Sequence, residues 1–374
     1  MAKVVVIGAA PASMVNFRRE LLETLVAGGH EVICMANPAQ AELEARIRAL
    51  GVDFVPYEVD RRSRNPFQDV KTYLQLRRTL RRLKPDVVFA YTIKPIVWSG
   101  LASRGIKGTR FFGMVEGTGY AFQGQGWKRG LLRQVASMLY RVALLRAKAV
   151  FFLNRDDPQT FYRQHIVGPE KAVILNGIGV DLDYYGLTPL PEGKGPVFLL
   201  IGRLLKEKGV REFAAAARKV RMEHPDARFQ ILGYADPTSE GVPIEEVEAW
   251  QEEGIVEYLG STPNVRPFIE ASHVFVLPSY YGEGLPRTIM EAMSMGRAIL
   301  TTDNVGCRET VEEGQNGFLV PRQDVEALAE KAAWFAENPD KWQAMADASR
   351  ALAEERFDVH KINAVILSTM GLDG

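Results

Sequence analysis

Short apolar, β-branched runs alternate with amphipathic segments along the chain's 374 residues, and the alternation restarts once. In the first half the runs are Val4–Gly8, Glu31–Met35, Asp53–Pro56, Val87–Ala90, Arg110–Val115 and Ala149–Leu153. Helical spacing lies between them, near Met14–Ala27, Ala39–Leu50, Phe67–Leu83, Pro95–Arg104 and Trp127–Arg146. Alternation of this kind predicts a parallel sheet covered by helices on both faces. Asn176-Gly177-Ile178-Gly179 reads as a turn, and Thr188 to Pro196, rich in Pro and Gly, has linker composition. Strands then recur at 197–201, 228–232, 256–259, 273–277, 298–302 and 317–320, with helices at 210–222, 244–252, 265–270 and 285–294 and onward to the end. The expectation is α/β: two doubly wound domains facing each other across a cleft. Residues 1–185, completed by a C-terminal helix at 357–374, form the first; 186–196 connect it to the second, 197–356.

The length suits two cores better than one. Met1-Ala2-Lys3 leads directly into a strand rather than a signal sequence, and no apolar run reaches membrane-spanning length. Cys34 and Cys307 lie far apart without metal-ligand spacing, so a reduced, cytoplasmic protein is expected. Net charge is zero, yet residues 1–190 carry 27 Lys/Arg against 16 Asp/Glu and the remainder 19 against 30. A basic first half is expected to meet something anionic.

The chemistry concentrates in the second half. His273 to Leu277 reads as a buried strand, followed by Pro278-Ser279-Tyr280-Tyr281, the bracketed loop Gly282-Glu283-Gly284, and a helix opening near Pro286 and carrying Glu291. Strand, tight loop and helix start form the edge where an open α/β sheet binds ligands, and helix-start N–H groups favour an anion. A second such exit, Ile201-Gly202-Arg203 to Lys208-Gly209, adds a glycine that lets backbone approach a ligand and two cations suited to a diphosphate. Other signals are weaker. Gly8-Ala9-Ala10-Pro11-Ala12-Ser13 lacks the G-x-G-x-x-G of dinucleotide sites, and no P-loop string occurs. Asp181-Leu182-Asp183 looks like a metal-holding D-x-D but has no third ligand nearby, and a capped turn is the better reading. No metal site is expected.

R-x4-K-G at Arg203–Gly209, E-G-L-P-x4-E-A at Glu283–Ala292, Gly306-Cys307-Arg308-Glu309 and Asn316 to Pro321 resemble the retaining glycosyltransferases of family 4, with the GT-B fold. Asn65-Pro66, Tyr91 to Pro95 and Glu116-Gly117-Thr118-Gly119-Tyr120 are similar to transferases that extend undecaprenyl-diphosphate-linked sugars in O-antigen, capsule and related glycan assembly. By position, the resemblance implies that Glu283 contacts the donor sugar's hydroxyls and Glu291 the ribose of a nucleoside diphosphate. Arg203 and Lys208, with the N–H groups of Gly284 and Leu285, would neutralise the leaving diphosphate without a metal or other cofactor. The donor would be a UDP-sugar and the acceptor a polyprenyl-diphosphate-linked saccharide. Many members carry a His after the strand that here ends at Val115; this chain has Glu116, which becomes the candidate for the polar role near donor or acceptor. Lys94 is a candidate for an acceptor phosphate and Arg18 a weaker one. The first loop lacks the paired glycines common in the family.

Trp127 to Lys148 sets Leu131, Leu132, Val135, Met138, Leu139, Val142 and Leu145 at helical spacing beside Lys128, Arg129, Arg133, Arg141, Arg146 and Lys148, with no acidic residue. Such a helix lies on an anionic bilayer or packs on a core; the spacing allows both. Arg61-Arg62-Ser63-Arg64, Arg77, Arg78, Arg81, Arg82 and Lys84 extend the basic charge, with too few aromatics for nucleic acid. The expectation is a cytoplasmic enzyme bound peripherally to the inner face of the plasma membrane. The alternatives are a UDP-sugar epimerase of the same fold and a non-catalytic subunit of a glycan-assembly complex. Donor sugar, acceptor glycan, linkage and oligomeric state are open.

Overall fold

The computed structural model describes all residues except 61–64, 119–121, 123–125, 239, 281 and 374, and the side chains of Lys128 and Arg129. Tyr281, Arg61 to Arg64, Gly119-Tyr120 and the Lys128 and Arg129 charges therefore lie outside the described residues. The chain divides into two compact units, Met1–Ile178 with Val359–Gly374, and Gly179–Asp358.

The first unit holds a seven-stranded parallel sheet, β1 (Lys3–Ile7), β2 (Glu31–Ala36), β3 (Asp53–Pro56), β4 (Val87–Tyr91), β5 (Arg110–Val115), β6 (Ala147–Phe152) and β7 (Ala172–Ile174), in the order 3-2-1-4-5-6-7. Its central strands are buried at nearly every position, as strands covered on both faces must be. Around it lie α1 (Ala12–Phe17), α2 (Arg19–Ala27), α3 (Ala41–Arg48), α4 (Pro66–Leu83), α5 (Ile93–Ala102), α6 (Trp127–Leu144) and α7 (Asp157–Arg163). The single helix expected at Met14–Ala27 is broken at Arg18, whose φ of −129° and ψ of 3° leave the helical region. Two elements, β7 and α7, have too short an apolar signature to stand out from the sequence. The terminal helix α14 (Val359–Met370) returns to this unit, where Ile362, Ile366 and Met370 pack with Leu21, Leu22 and Leu25.

The second unit holds six parallel strands, β8 (Val197–Ile201), β9 (Arg228–Leu232), β10 (Glu257–Tyr258), β11 (Val274–Leu277), β12 (Ala298–Thr302) and β13 (Gly317–Val320), in the order 10-9-8-11-12-13. Its helices are α8 (Val210–Glu223), α9 (Ile244–Glu252), α10 (Arg266–Glu270), α11 (Arg287–Ser294), α12 (Val325–Glu337) and α13 (Trp342–Arg356). Residues 186–196, expected to connect two domains, are fastened to this unit. The fully buried Arg297 donates to Thr188 O at 2.9 Å, Thr188 Oγ1 at 2.7 Å and Pro189 O at 3.1 Å. A buried guanidinium needs acceptors for its five N–H groups, and loop carbonyls supply them. In both sheets the strand order reverses beside the first strand, between β1 and β4 and between β8 and β11. A doubly wound sheet opens a crevice outside the carboxyl ends of its strands at such a point.

Candidate active site

The two loops that the sequence singles out flank the reversal between β8 and β11. The loop after β11 is laid on the turn after β8. Tyr280 N donates to Glu207 O at 2.9 Å and Ser279 Oγ to the same carbonyl at 3.1 Å. Gly209, at φ +74°, makes this approach possible, since a Cβ there would lie 2.2 Å from Pro278 O. Gly306, at φ +77°, performs the same service beneath Glu283 and Gly284, whose carbonyls would sit 2.9 and 2.8 Å from its Cβ. The consequence is an ion pair: Lys208 Nζ bonds Glu283 Oε1, and Ser279 Oγ lies 3.1 Å from the same oxygen, its single hydroxyl hydrogen shared between that oxygen and Glu207 O. Both charged side chains are largely shielded, at 17% and 13% exposure, so their attraction is only weakly screened by solvent. The Cys307 thiol lies buried beside this pair and is pushed up to about 12 by burial, which keeps it a protonated packing group.

Arg203 goes elsewhere. It donates to Asp236 Oδ2 at 3.0 Å and leaves its own side chain 43% exposed. Hydrogen bonds from the Thr238 hydroxyl and N–H, then the Arg203 guanidinium, hold the Asp236 carboxyl below the usual carboxylate range. Next to it a Cβ at Gly202 would meet nothing within 4 Å, while one at Gly233 would lie 1.8 Å from Gly202 O. Gly233, Asp236 and Thr238 thus join the candidate site beside Gly202 and Arg203, and the sequence analysis does not single them out. A glycine and carboxylate just past β9 were the available signal.

Helix α11 starts at Arg287, two residues later than expected, with Pro286 as the extended residue before it (ψ 115°). Leu285 is buried. Glu291 sits on the second turn, 6% exposed, accepting from Arg287 Nε at 2.9 Å and from the Tyr185 hydroxyl. Burial raises its pKa, and Arg287 and Tyr185 act against that rise. Tyr185 is another residue the sequence reading missed as a partner. It follows Asp181, whose Oδ1 accepts from Asp183 N at 3.0 Å and Tyr184 N at 2.9 Å, the capped turn that the sequence favoured over a metal ligand. Among the described residues no group of three or more His, Cys, Asp or Glu is placed to share a metal ion.

In the first unit, Glu116 and Lys94 lie just beyond β5 and β4. Arg18 is 3% exposed and bonds Glu116, donates to Phe17 O at 2.8 Å and stacks 4.6 Å above the Tyr91 ring. The break between α1 and α2 falls at the residue that makes these contacts. Arg18 is thus built in beneath Glu116, where the sequence reading had it touching an acceptor. The Tyr91 hydroxyl reaches Ser13 Oγ at 2.7 Å, and Gly8 leaves room for that ring: a Cβ there would lie 2.3 Å from the hydroxyl oxygen. Lys94 pairs with Asp69 of α4 at 2.8 Å, both side chains mostly covered. It follows Thr92, a β-branched residue at φ +65° whose buried Oγ1 finds no partner among the described residues.

Helix α6 has two apolar faces. Tyr140, Ala143 and Leu144 are buried, whereas Trp127, Leu131, Val135, Met138, Val142 and Leu145 are exposed. Helix α4 repeats the pattern, burying Leu76 and Leu80 and exposing Phe67, Val70 and Leu74. Among the described residues no helix is long and apolar enough to cross a membrane.

Known proteins share this organisation. Residues 14–177 match the family model of the glycosyl transferase 4-like domain, and residues 195–338 that of glycosyl transferases group 1. The chain is 28% identical over 341 residues to the N,N'-diacetylbacillosaminyl-diphospho-undecaprenol alpha-1,3-N-acetylgalactosaminyltransferase of Campylobacter jejuni, covering 88% of each chain. It is 25% identical over 311 residues to the UDP-Gal:alpha-D-GlcNAc-diphosphoundecaprenol alpha-1,3-galactosyltransferase of Escherichia coli, 79% of this chain and 77% of that one. The crystal structure of Anabaena HepE in complex with UDP superposes with a TM-score of 0.80 over 99% of this chain and 100% of that one, at 17% identity. Two family models matched in order along the chain, on two sheets of the expected topology, make this chain a glycosyltransferase of GT-B fold, built from a glycosyl transferase 4-like domain and a domain of the glycosyl transferases group 1 type.

Proposed function

We propose that the protein is a retaining, metal-independent transferase that moves a hexose or N-acetylhexosamine from a UDP-sugar to a polyprenyl-diphosphate-linked saccharide in cell-surface glycan assembly. The observation that carries the reading is the shielded Lys208–Glu283 pair on the reversal point of the second sheet, with Arg203 on the adjoining loop. A diphosphate brought there meets an ammonium and a half-exposed guanidinium. Glu283 then exchanges part of its bond to Lys208 for sugar hydroxyls, and Glu291, held by Tyr185 and Arg287, takes the ribose. In this reading the second unit binds the donor, with Gly202, Gly284 and Leu285 lending backbone, and the first binds the acceptor.

As the bond from the anomeric carbon to the diphosphate oxygen breaks, negative charge grows on that oxygen, where the two cations stabilise it. The acceptor hydroxyl forms its bond to the same face of the anomeric carbon, and its proton passes to the departing diphosphate oxygen. Glu116, kept oriented by Arg18, positions the acceptor, and Lys94 accompanies its phosphate. The Campylobacter and Escherichia coli relatives, named for diphospho-undecaprenol acceptors, support the lipid-linked class. The exposed apolar faces of α4 and α6, with Arg78, Arg81, Arg82, Arg146 and Lys148 exposed beside them, support peripheral binding to the anionic inner face of the plasma membrane. Screening UDP-sugars for thermal stabilisation and slow hydrolysis, then adding membrane lipid extract as acceptor, tests the function. No UDP-sugar stabilising the protein, or no lipid-linked product from any of them, would overturn it.

A further inference from the structure

The turn after β8 and the loop after β9 are stitched together through their backbones. Leu204 N donates to Tyr234 O at 3.0 Å, Val242 N to Leu204 O at 2.8 Å and Lys206 N to Glu240 O at 3.0 Å. Gly241 N closes the second loop on Thr238 O at 2.9 Å, and a Cβ at Gly241 would lie 2.1 Å from Asp236 O. Asp236 is locked into this frame. Its Oδ1 accepts from Thr238 N at 3.0 Å and from the Thr238 hydroxyl at 2.5 Å, and its side chain is 4% exposed. Its Oδ2 accepts from Arg203 Nη1 at 3.0 Å.

The two cations of the site thus have carboxylate partners of different kinds. Glu283, the partner of Lys208, lies on the site loop and is the carboxylate that turns to the sugar's hydroxyls in the function proposed above. Asp236 has its other oxygen occupied by Thr238 and turns almost no surface to solvent, so it stays in place when a ligand arrives. An arginine side chain has several rotatable bonds, and ordering it at the moment of binding costs entropy. A guanidinium held beforehand avoids that cost and offers its remaining N–H groups as a fixed fork. Arg203 keeps 43% of its side chain exposed beside Gly202, where a Cβ would meet nothing within 4 Å.

We propose that Asp236 is a positioning residue: from the loop after β9 it fixes Arg203 for the departing diphosphate and makes no contact with the donor itself. The assignment rests on the function proposed above. Isothermal titration calorimetry with UDP compares full-length wild type, Asp236→Asn, Arg203→Ala and the double variant. Asparagine is isosteric and its Oδ1 still accepts from Thr238, so the loop keeps its shape while Arg203 loses its charged partner. Asp236→Asn weakens UDP binding at least about fivefold when Arg203 is present and less than about twofold in the Arg203→Ala background. Such coupling separates positioning from support of the fold, since a loosened loop weakens UDP binding in both backgrounds. Thr238→Val removes the hydroxyl bond alone and shows the same dependence on Arg203 with a loss of at least about threefold. It carries the cycle if Asp236→Asn does not fold. Equal losses in the two backgrounds, or wild-type affinity with Arg203 present, overturn the assignment. Unchanged UDP affinity in Arg203→Ala overturns the donor reading at Arg203, and the positioning role with it.

Discussion

Replacing Tyr185 by Phe removes one hydroxyl and nothing else from the environment of Glu291. That carboxylate is 6% exposed; burial raises its pKa, while Arg287 Nε, at 2.9 Å, and the Tyr185 hydroxyl favour its charged form. A hydrogen bond to a charged group contributes about 1.5–3 kcal/mol, so the substitution costs that much wherever Glu291 is ionised, a melting-temperature loss of about 3–12 °C for a unit of this size. The pH dependence carries the sharper content. Burial raises the Glu291 pKa above its ordinary value, so its contribution to stability is fully present below the unfolded pKa and is lost as pH rises through the folded one. Removing the hydroxyl raises the folded pKa further. The deficit of Tyr185→Phe against wild type is therefore small where Glu291 is protonated and grows as pH rises from the ordinary carboxylate range through its raised folded pKa. Paired thermal melts across that range measure it, and UDP titration calorimetry at pH 7.5 is expected to show at least about tenfold weaker binding. A deficit independent of pH would refute the claim that Tyr185 acts by holding an ionised Glu291.

Lys208→Ala and Glu283→Ala each lower transfer turnover at least about tenfold with circular dichroism unchanged; rates near wild type in both would remove the pair from the reaction. Gly209→Ala forces a side chain into φ +74° and against Pro278 O, costing about 2–4 kcal/mol, and a denaturant midpoint equal to wild type would contradict the loop packing. Leu131→Asp combined with Met138→Asp is expected to cut flotation with anionic vesicles at least about tenfold while leaving the melting temperature within a degree or two; undiminished flotation would place the membrane contact elsewhere. Chelator is expected to leave turnover unchanged, and a steep loss restored by a divalent cation would overturn metal independence.

Every strand except β7 was legible in the sequence because buried parallel strands are continuous apolar runs, and a run such as Val4–Ile7 or Phe198–Ile201 needs no partner to be recognised. Arg203, Lys208, Glu283 and Glu291 were legible as residue types at strand exits, since a helix or loop start after a parallel strand has a fixed position at the sheet edge. Their pairings were not. Lys208 and Glu283 are 75 residues apart and Arg203 and Asp236 33, and which cation meets which carboxylate depends on how three loops stack across one edge. Tyr185 reaches Glu291 across 106 positions of sequence for the same reason.

By itself the sequence determined the alternation of strand and helix, its restart, and the charged groups available at the exits, because these rest on local periodicity and on residue chemistry. Only the tertiary structure decided where the charges go. It turned Arg18 inward beneath Glu116 at a helix break, gave Arg203 to Asp236, and closed Lys208 on Glu283 through two glycines that hold positive φ. It also separated the two apolar faces of α6, which share one helical period and differ only in whether the rest of the fold covers them. Periodicity fixes which residues share a face; long-range packing decides which faces are buried and which charges meet.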